Sequence, residues 1–141
     1  MATYTKFNQF VEDVAEGVYD LGADTLKVML TLTAPVATNS VKADLTEISA
    51  GNGYTAGGTT TAQSSSAQSS GTYKLVIADV VFTASGGAIA DFRYAVLYSD
   101  TPTSPADPLI GFWDYGSTVS LADGETFTVD FDASAGVLQI A

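Results

Sequence analysis

Residues 89–99 read Ile-Ala-Asp-Phe-Arg-Tyr-Ala-Val-Leu-Tyr-Ser. Phe92, Tyr94, Val96 and Tyr98 recur at every second position, while Asp91 and Arg93 fall between them and point away. Apolar and aromatic groups at period two are the mark of a β-strand with one buried face. Outward from this stretch the same grammar repeats. Residues 101–108 hold three of the four prolines and read as a turn or crossing loop. Residues 109–115 form another strand, and Val119 and Leu121 lead into Asp123-Gly124, a hairpin-turn dipeptide from which Phe127, Val129 and Phe131 return. On the N-terminal side, 73–83 is a β-rich run that Ser85-Gly86-Gly87 ends.

Six to eight short strands with turns between them predict a mainly β fold: an antiparallel β-sandwich, jelly-roll-like, over a single domain spanning 1–141. A parallel α/β fold is excluded, because no helices separate the later strands. The N-terminal segment 1–22 reads differently. Phe7, Phe10, Val11, Val14 and Val18 recur at helical spacing, Thr5 is the candidate N-cap, and a short helix is expected at about residues 5–16. It caps one end of the core or packs on a neighbouring subunit. Leu26, Val28, Leu30 and Leu32 then alternate as a strand up to Pro35, residues 41–48 suggest a helical turn, and Gly51-Asn52-Gly53 marks a turn. Residues 55–71 contain only Thr, Ala, Gly, Gln and Ser. With no large apolar group to bury, this run is expected to be a long, flexible, exposed loop.

The chain has 141 residues, sixteen acidic and five basic, for a net charge of −11. So negative a surface repels phosphate backbones and anionic membranes, and neither nucleic acid nor membrane is an expected partner. No Cys and no His are present. That removes disulfides, thiolate nucleophiles, zinc–sulfur sites and the usual general base. The first thirty residues lack the pattern of a signal peptide. No apolar run approaches the roughly 18 residues of a membrane span.

Motifs for chemistry are equally sparse. No Gly precedes Lys as a phosphate loop requires, and neither GxGxxG nor GxSxG occurs. Asp130, Asp132 and Ser134 have the opening spacing of a calcium loop, but Ala135 and Ala141 stand where it needs Gly and Glu. Asp114 lies between Trp113 and Tyr115, aromatic surfaces on which a sugar ring could stack. No catalytic residue, cofactor site or metal site is expected. The most informative stretch is Leu109-Ile110-Gly111-Phe112-Trp113-Asp114-Tyr115. Strict alternation puts Leu109, Trp113 and Tyr115 on one side and Ile110 and Phe112 on the other. A strand apolar on both faces, like the run 73–83, suggests a face covered by another chain. Phe7, Phe10, Phe112, Trp113 and Tyr115 are therefore the candidate protein-interface residues.

Three blocks carry a resemblance: Phe7 to Asn39, Leu45-Thr46-Glu47-Ile48 leading into Gly51 through Gly58, and Gly111-Phe112-Trp113-Asp114-Tyr115-Gly116. Together they resemble small virion proteins of tailed bacteriophages, in particular capsid decoration or cement proteins. The resemblance implies a non-catalytic, β-rich homo-oligomer, a trimer ahead of a dimer, on the outer surface of the capsid. Its implied partner is the major capsid protein, whose subunits it bridges. The contrasting expectation is a head- or tail-fibre receptor-binding module that recognises cell-surface sugar through Trp113 and Tyr115.

Overall fold

The computed structural model describes residues 2–141. In chain order they form β1 (Thr3–Lys6), α1 (Gln9–Ala15), β2 (Leu26–Thr31), a single 3₁₀ turn (Lys42–Asp44), β3 (Thr59–Thr61) and β4 (Gln63–Ser69). There follow β5 (Thr72–Ile77), β6 (Val80–Thr83), β7 (Ile89–Ser99), β8 (Leu109–Leu121), β9 (Thr126–Val129) and β10 (Leu138–Ile140). A five-stranded sheet has the order β1-β8-β7-β2-β3; against it lie the three-stranded sheet β10-β5-β4 and the pair β6-β9. Every pairing is antiparallel. Leu26, Val28, Leu30, Leu97 and Ile110 from the large sheet meet Leu75, Ile77, Val80, Phe82 and Val129 from the other layer. The fold is an antiparallel β-sandwich, as the alternation predicts.

The large sheet has a second buried face. Phe7, Met29, Val96, Tyr98, Leu109 and Phe112 form a separate cluster, with Leu45 and Tyr94 packed against it. Phe7, Met29 and Val96 are 0% exposed in the isolated chain. The covering material is thus the chain itself. Lys42 lies over the Tyr98 ring, and the Tyr98 hydroxyl donates to the Gly57 carbonyl at 2.6 Å. The second apolar face of β8 around Leu109 and Phe112 is covered internally, by a segment of the same chain rather than by the second chain that its doubly apolar pattern suggests.

Four further expectations change. The helix is shorter than 5–16: Thr5 lies in β1 opposite Phe112, and α1 begins only after Asn8. The β8 edge offered Thr3–Lys6 a hydrogen-bonding partner, and pairing there outcompetes a first helical turn. Phe10 and Val14 do cap the core, with Phe10 on Tyr19 at 5.3 Å. The run 73–83 is two strands, broken at Ala78-Asp79, where the Asp79 carboxylate accepts the Phe131 N–H at 2.8 Å. The turn at Asp123-Gly124 does not close a hairpin. β8 pairs with β7 and β9 pairs with β6, so this turn carries the chain from one layer to the other.

The fourth correction is the largest. Residues 55–71 are exposed over much of their length, as expected, but they are not a loose loop. β3 pairs with β2, and β4 pairs with β5 through a tight turn at Ser70-Gly71. The backbone supplies the ladder, and the partners supply the burial: Leu75 and Ile77 of β5 sit in the core. Thr61 donates to the Ala78 carbonyl at 2.6 Å, and the Gln63 amide donates to the Asp24 carbonyl at 2.6 Å, fixing the start of β4.

Candidate functional site

Where β7 and β8 face β9, the sandwich opens into a cleft of about 210 Å³ lined by Phe92, Trp113, Tyr115, Phe127, Val129 and Asp130, among others. Strand alternation explains the floor only with register irregularities between β7 and β8. Leu97 pairs with Gly111 but Tyr98 with Leu109, so Ile110 is an extra residue that shifts the phase of β8. Leu109 and Phe112 consequently share the outer face, while Ile110 and Trp113 share the inner one. This corrects the assignment from strict alternation. A second register jump, from Tyr94↔Asp114 to Phe92↔Val119, bulges 115–118, and β7 itself breaks alternation there: Phe92 enters the main core while Tyr94 packs outside with Val96 and Tyr98, which corrects the expectation that all four share one face.

The aromatic groups interlock. Phe92 and Phe127 meet edge to face at 4.9 Å, Tyr115 meets Phe127 at 5.4 Å, and Trp113 lies between Tyr4 at 5.0 Å and Phe131 at 5.3 Å. Trp113 is thus half-buried with both neighbours aromatic, whereas Tyr115 is 50% exposed. One ion pair borders the cleft. Arg93 donates from Nε to Asp114 Oδ1 at 2.7 Å and from Nη2 to Oδ2 at 3.0 Å, and the Gly116 N–H adds a third bond to Oδ1. The guanidinium, with that N–H, holds the Asp114 carboxyl below the usual carboxylate range. A carboxylate held ionised and occupied in this way is ill suited to act as a general acid. Among the described residues, no three His, Cys, Asp or Glu side chains gather in a way that could hold a metal ion.

Of the five interface candidates, Trp113 and Tyr115 come together in the cleft. The other three lie in the chain's own interior: Phe7 packs on Phe112 at 5.1 Å under the outer face, and Phe10 belongs to the main core. All three are buried in the isolated chain. Sequence reasoning missed Phe92, Phe127 and Arg93 as members of one site. The signal for Arg93 was present: it is the lone arginine in a chain with sixteen carboxylates.

The three resemblance blocks converge on the large sheet. Glu47 Oε1 accepts the Tyr54 hydroxyl at 2.7 Å and the Gly57 N–H at 2.5 Å, while Tyr54 in turn accepts the Leu30 N–H at 3.1 Å. Burial pushes the Tyr54 hydroxyl far above the ordinary tyrosine range, so it stays protonated and keeps donating. At Gly58, with φ of 81°, an added Cβ would collide with the Val28 carbonyl, so only glycine lets this segment lie against β2. Phe7 and Phe112 join the first and third blocks directly. No family model, no curated protein and no solved structure matches the chain.

Proposed function

We propose that this chain is a non-catalytic structural protein of a bacteriophage virion, a capsid decoration or cement protein that binds the outside of the head. It acts as a homo-oligomer, a trimer ahead of a dimer, and stabilises the shell by bridging major capsid protein subunits. The observation that carries this reading is the convergence of the three resemblance blocks on a single unit, the large sheet and the segment clasped to it by Glu47, Tyr54 and Gly58. A residue set that keeps one scaffold together is what a shared architecture would retain. The strongly acidic composition supports solubility at high copy number. Multivalency supplies the energy: an oligomer that touches several shell subunits gains effective concentration, so modest contacts per copy give tight attachment.

The aromatic cleft favours a second reading, a receptor-binding module that takes a sugar against Tyr115 beside the Arg93–Asp114 pair. A cryo-EM map of a virion carrying this protein separates the two. Decoration places copies across the whole head surface. Density confined to a fibre or the tail overturns it. Tyr115→Ala sharpens the separation: its exposure predicts an intact fold, and loss of glycan binding with head binding retained favours the second reading.

A further inference from the structure

We infer that two copies of this chain associate edge to edge through β4, extending the sheet β10-β5-β4 into a continuous six-stranded one across a two-fold axis at Ala67. Among the described residues, β4 pairs with β5 on one side only, and its outer edge carries no strand. At seven residues it is the longest such edge; β1, β6 and β9 have four residues each, and β3 and β10 have three. β8 is also free of β1 beyond Asp114, but the register jump there bulges the strand and spoils it as a template. β4 is regular from Ser65 to Ser69.

The geometry fixes which groups face outward. Ser70 and Gly71, with φ of 51° and 84°, form a two-residue turn that makes Ser69↔Thr72, and hence Ala67↔Lys74, hydrogen-bonded pairs. Ser66 and Gln68 then turn their N–H and C=O away from β5. In an antiparallel two-fold pairing, Ser66 of each copy exchanges both backbone bonds with Gln68 of the other. Ala67 faces Ala67 on the axis, the non-hydrogen-bonded position where side chains approach most closely and a methyl group fits.

Charge selects a second copy as the occupant. Residues 55–73 contain no Asp, Glu, Lys or Arg in a chain of net charge −11. Two such chains repel wherever their acidic surfaces meet, and the neutral strip is where approach costs least. The contact deepens the self-association within the function proposed above, and of its two oligomers it closes as a dimer.

The test uses the isolated chain, so its outcome is independent of any capsid or glycan. The sequence has no cysteine, so Ala67→Cys introduces a single thiol. Cα atoms in a non-hydrogen-bonded antiparallel pair stand about 4.5 Å apart, within disulfide reach. Under mild oxidation Ala67→Cys is expected to give covalent dimer at least about tenfold faster than Val81→Cys, another exposed strand position, on β6. Equal rates overturn the proposal. In a second arm, Ala67→Glu keeps the hairpin, because Lys74 stands opposite it, but sets two carboxylates across the axis. Sedimentation should show a concentration-dependent dimer for the unaltered chain and at least about tenfold weaker association for this variant. A monomer at all concentrations, or association that Ala67→Glu leaves unchanged, overturns it.

Discussion

β7 and β4 are both antiparallel strands, and they have almost nothing else in common. From Ala95 to Ser99 β7 is buried on both faces, with β8 on one side and β2 on the other. From Ser64 to Ser69 β4 is exposed on both faces, with one neighbour. The first is held by side chains packed in two clusters, the second by a backbone ladder to a strand that is itself anchored. Stability is therefore concentrated around β7, and freedom to meet a partner around β4.

The strongest challenge to that contrast is Leu97→Ala. Leu97 is 0% exposed, and its truncation should cost about 2–5 kcal/mol in chemical denaturation. A loss below about 1 kcal/mol would mean that β7 does not dominate the core.

Glu47→Ala probes the clasp that holds the covering segment to the β7 side. It leaves the Gly57 N–H and the Tyr54 hydroxyl without their acceptor, and about 1–3 kcal/mol of stability should go with them. Glu47→Gln, which retains an acceptor oxygen, should recover part of the loss. Unchanged stability in Glu47→Ala would show that the clasp contributes nothing to the fold.

Acid should act on the margins through two carboxyls of opposite sign. Asp44 accepts N–H bonds from Ser40 and Val41, which hold its carboxyl below the usual range. A folded pKa below the unfolded one gives stability that is complete above about pH 4 and lost as pH falls through the folded value. Asp107 has the opposite sign: burial, then the neighbouring Asp100, push its carboxyl up. Its contribution is complete below about pH 4 and is lost as pH rises through the raised value. In urea titrations Asp44→Asn should lower the midpoint at pH 7, and by progressively less as pH falls below about 4. Asp107→Asn should raise it at pH 7. Reversed signs would refute the assignments.

The smallest effect belongs to β4. Ser65→Ala removes an exposed hydroxyl and should change stability by no more than about 0.5 kcal/mol in the same assay. A larger loss would place β4 among the elements that carry the fold and erase the contrast with β7.

Much of the scaffold was legible because apolar periodicity is a local property. The strand at 89–99, the proline-rich turn at 101–108, the turn at Gly51-Asn52-Gly53 and a short helix built on Phe10 and Val14 all follow from neighbours in sequence. Trp113 and Tyr115 of the cleft were legible too, as aromatic groups flanking a carboxylate. Phe92, Phe127 and Arg93 were not, because they reach the cleft from strands distant in sequence, and one of those strands changes phase at a bulge.

By itself the sequence determined a mainly β, acidic chain with one short helix near its start. Tertiary structure alone decided that 59–69 are strands, that Asp123-Gly124 links two layers, and that Phe7 and Phe112 are sealed under the chain's own cover. The physical reason is common to all three. A strand is completed by backbone hydrogen bonds to a partner far along the chain, and a face is buried by whichever segment happens to cross it. Neither partner leaves a trace in the local pattern of side chains.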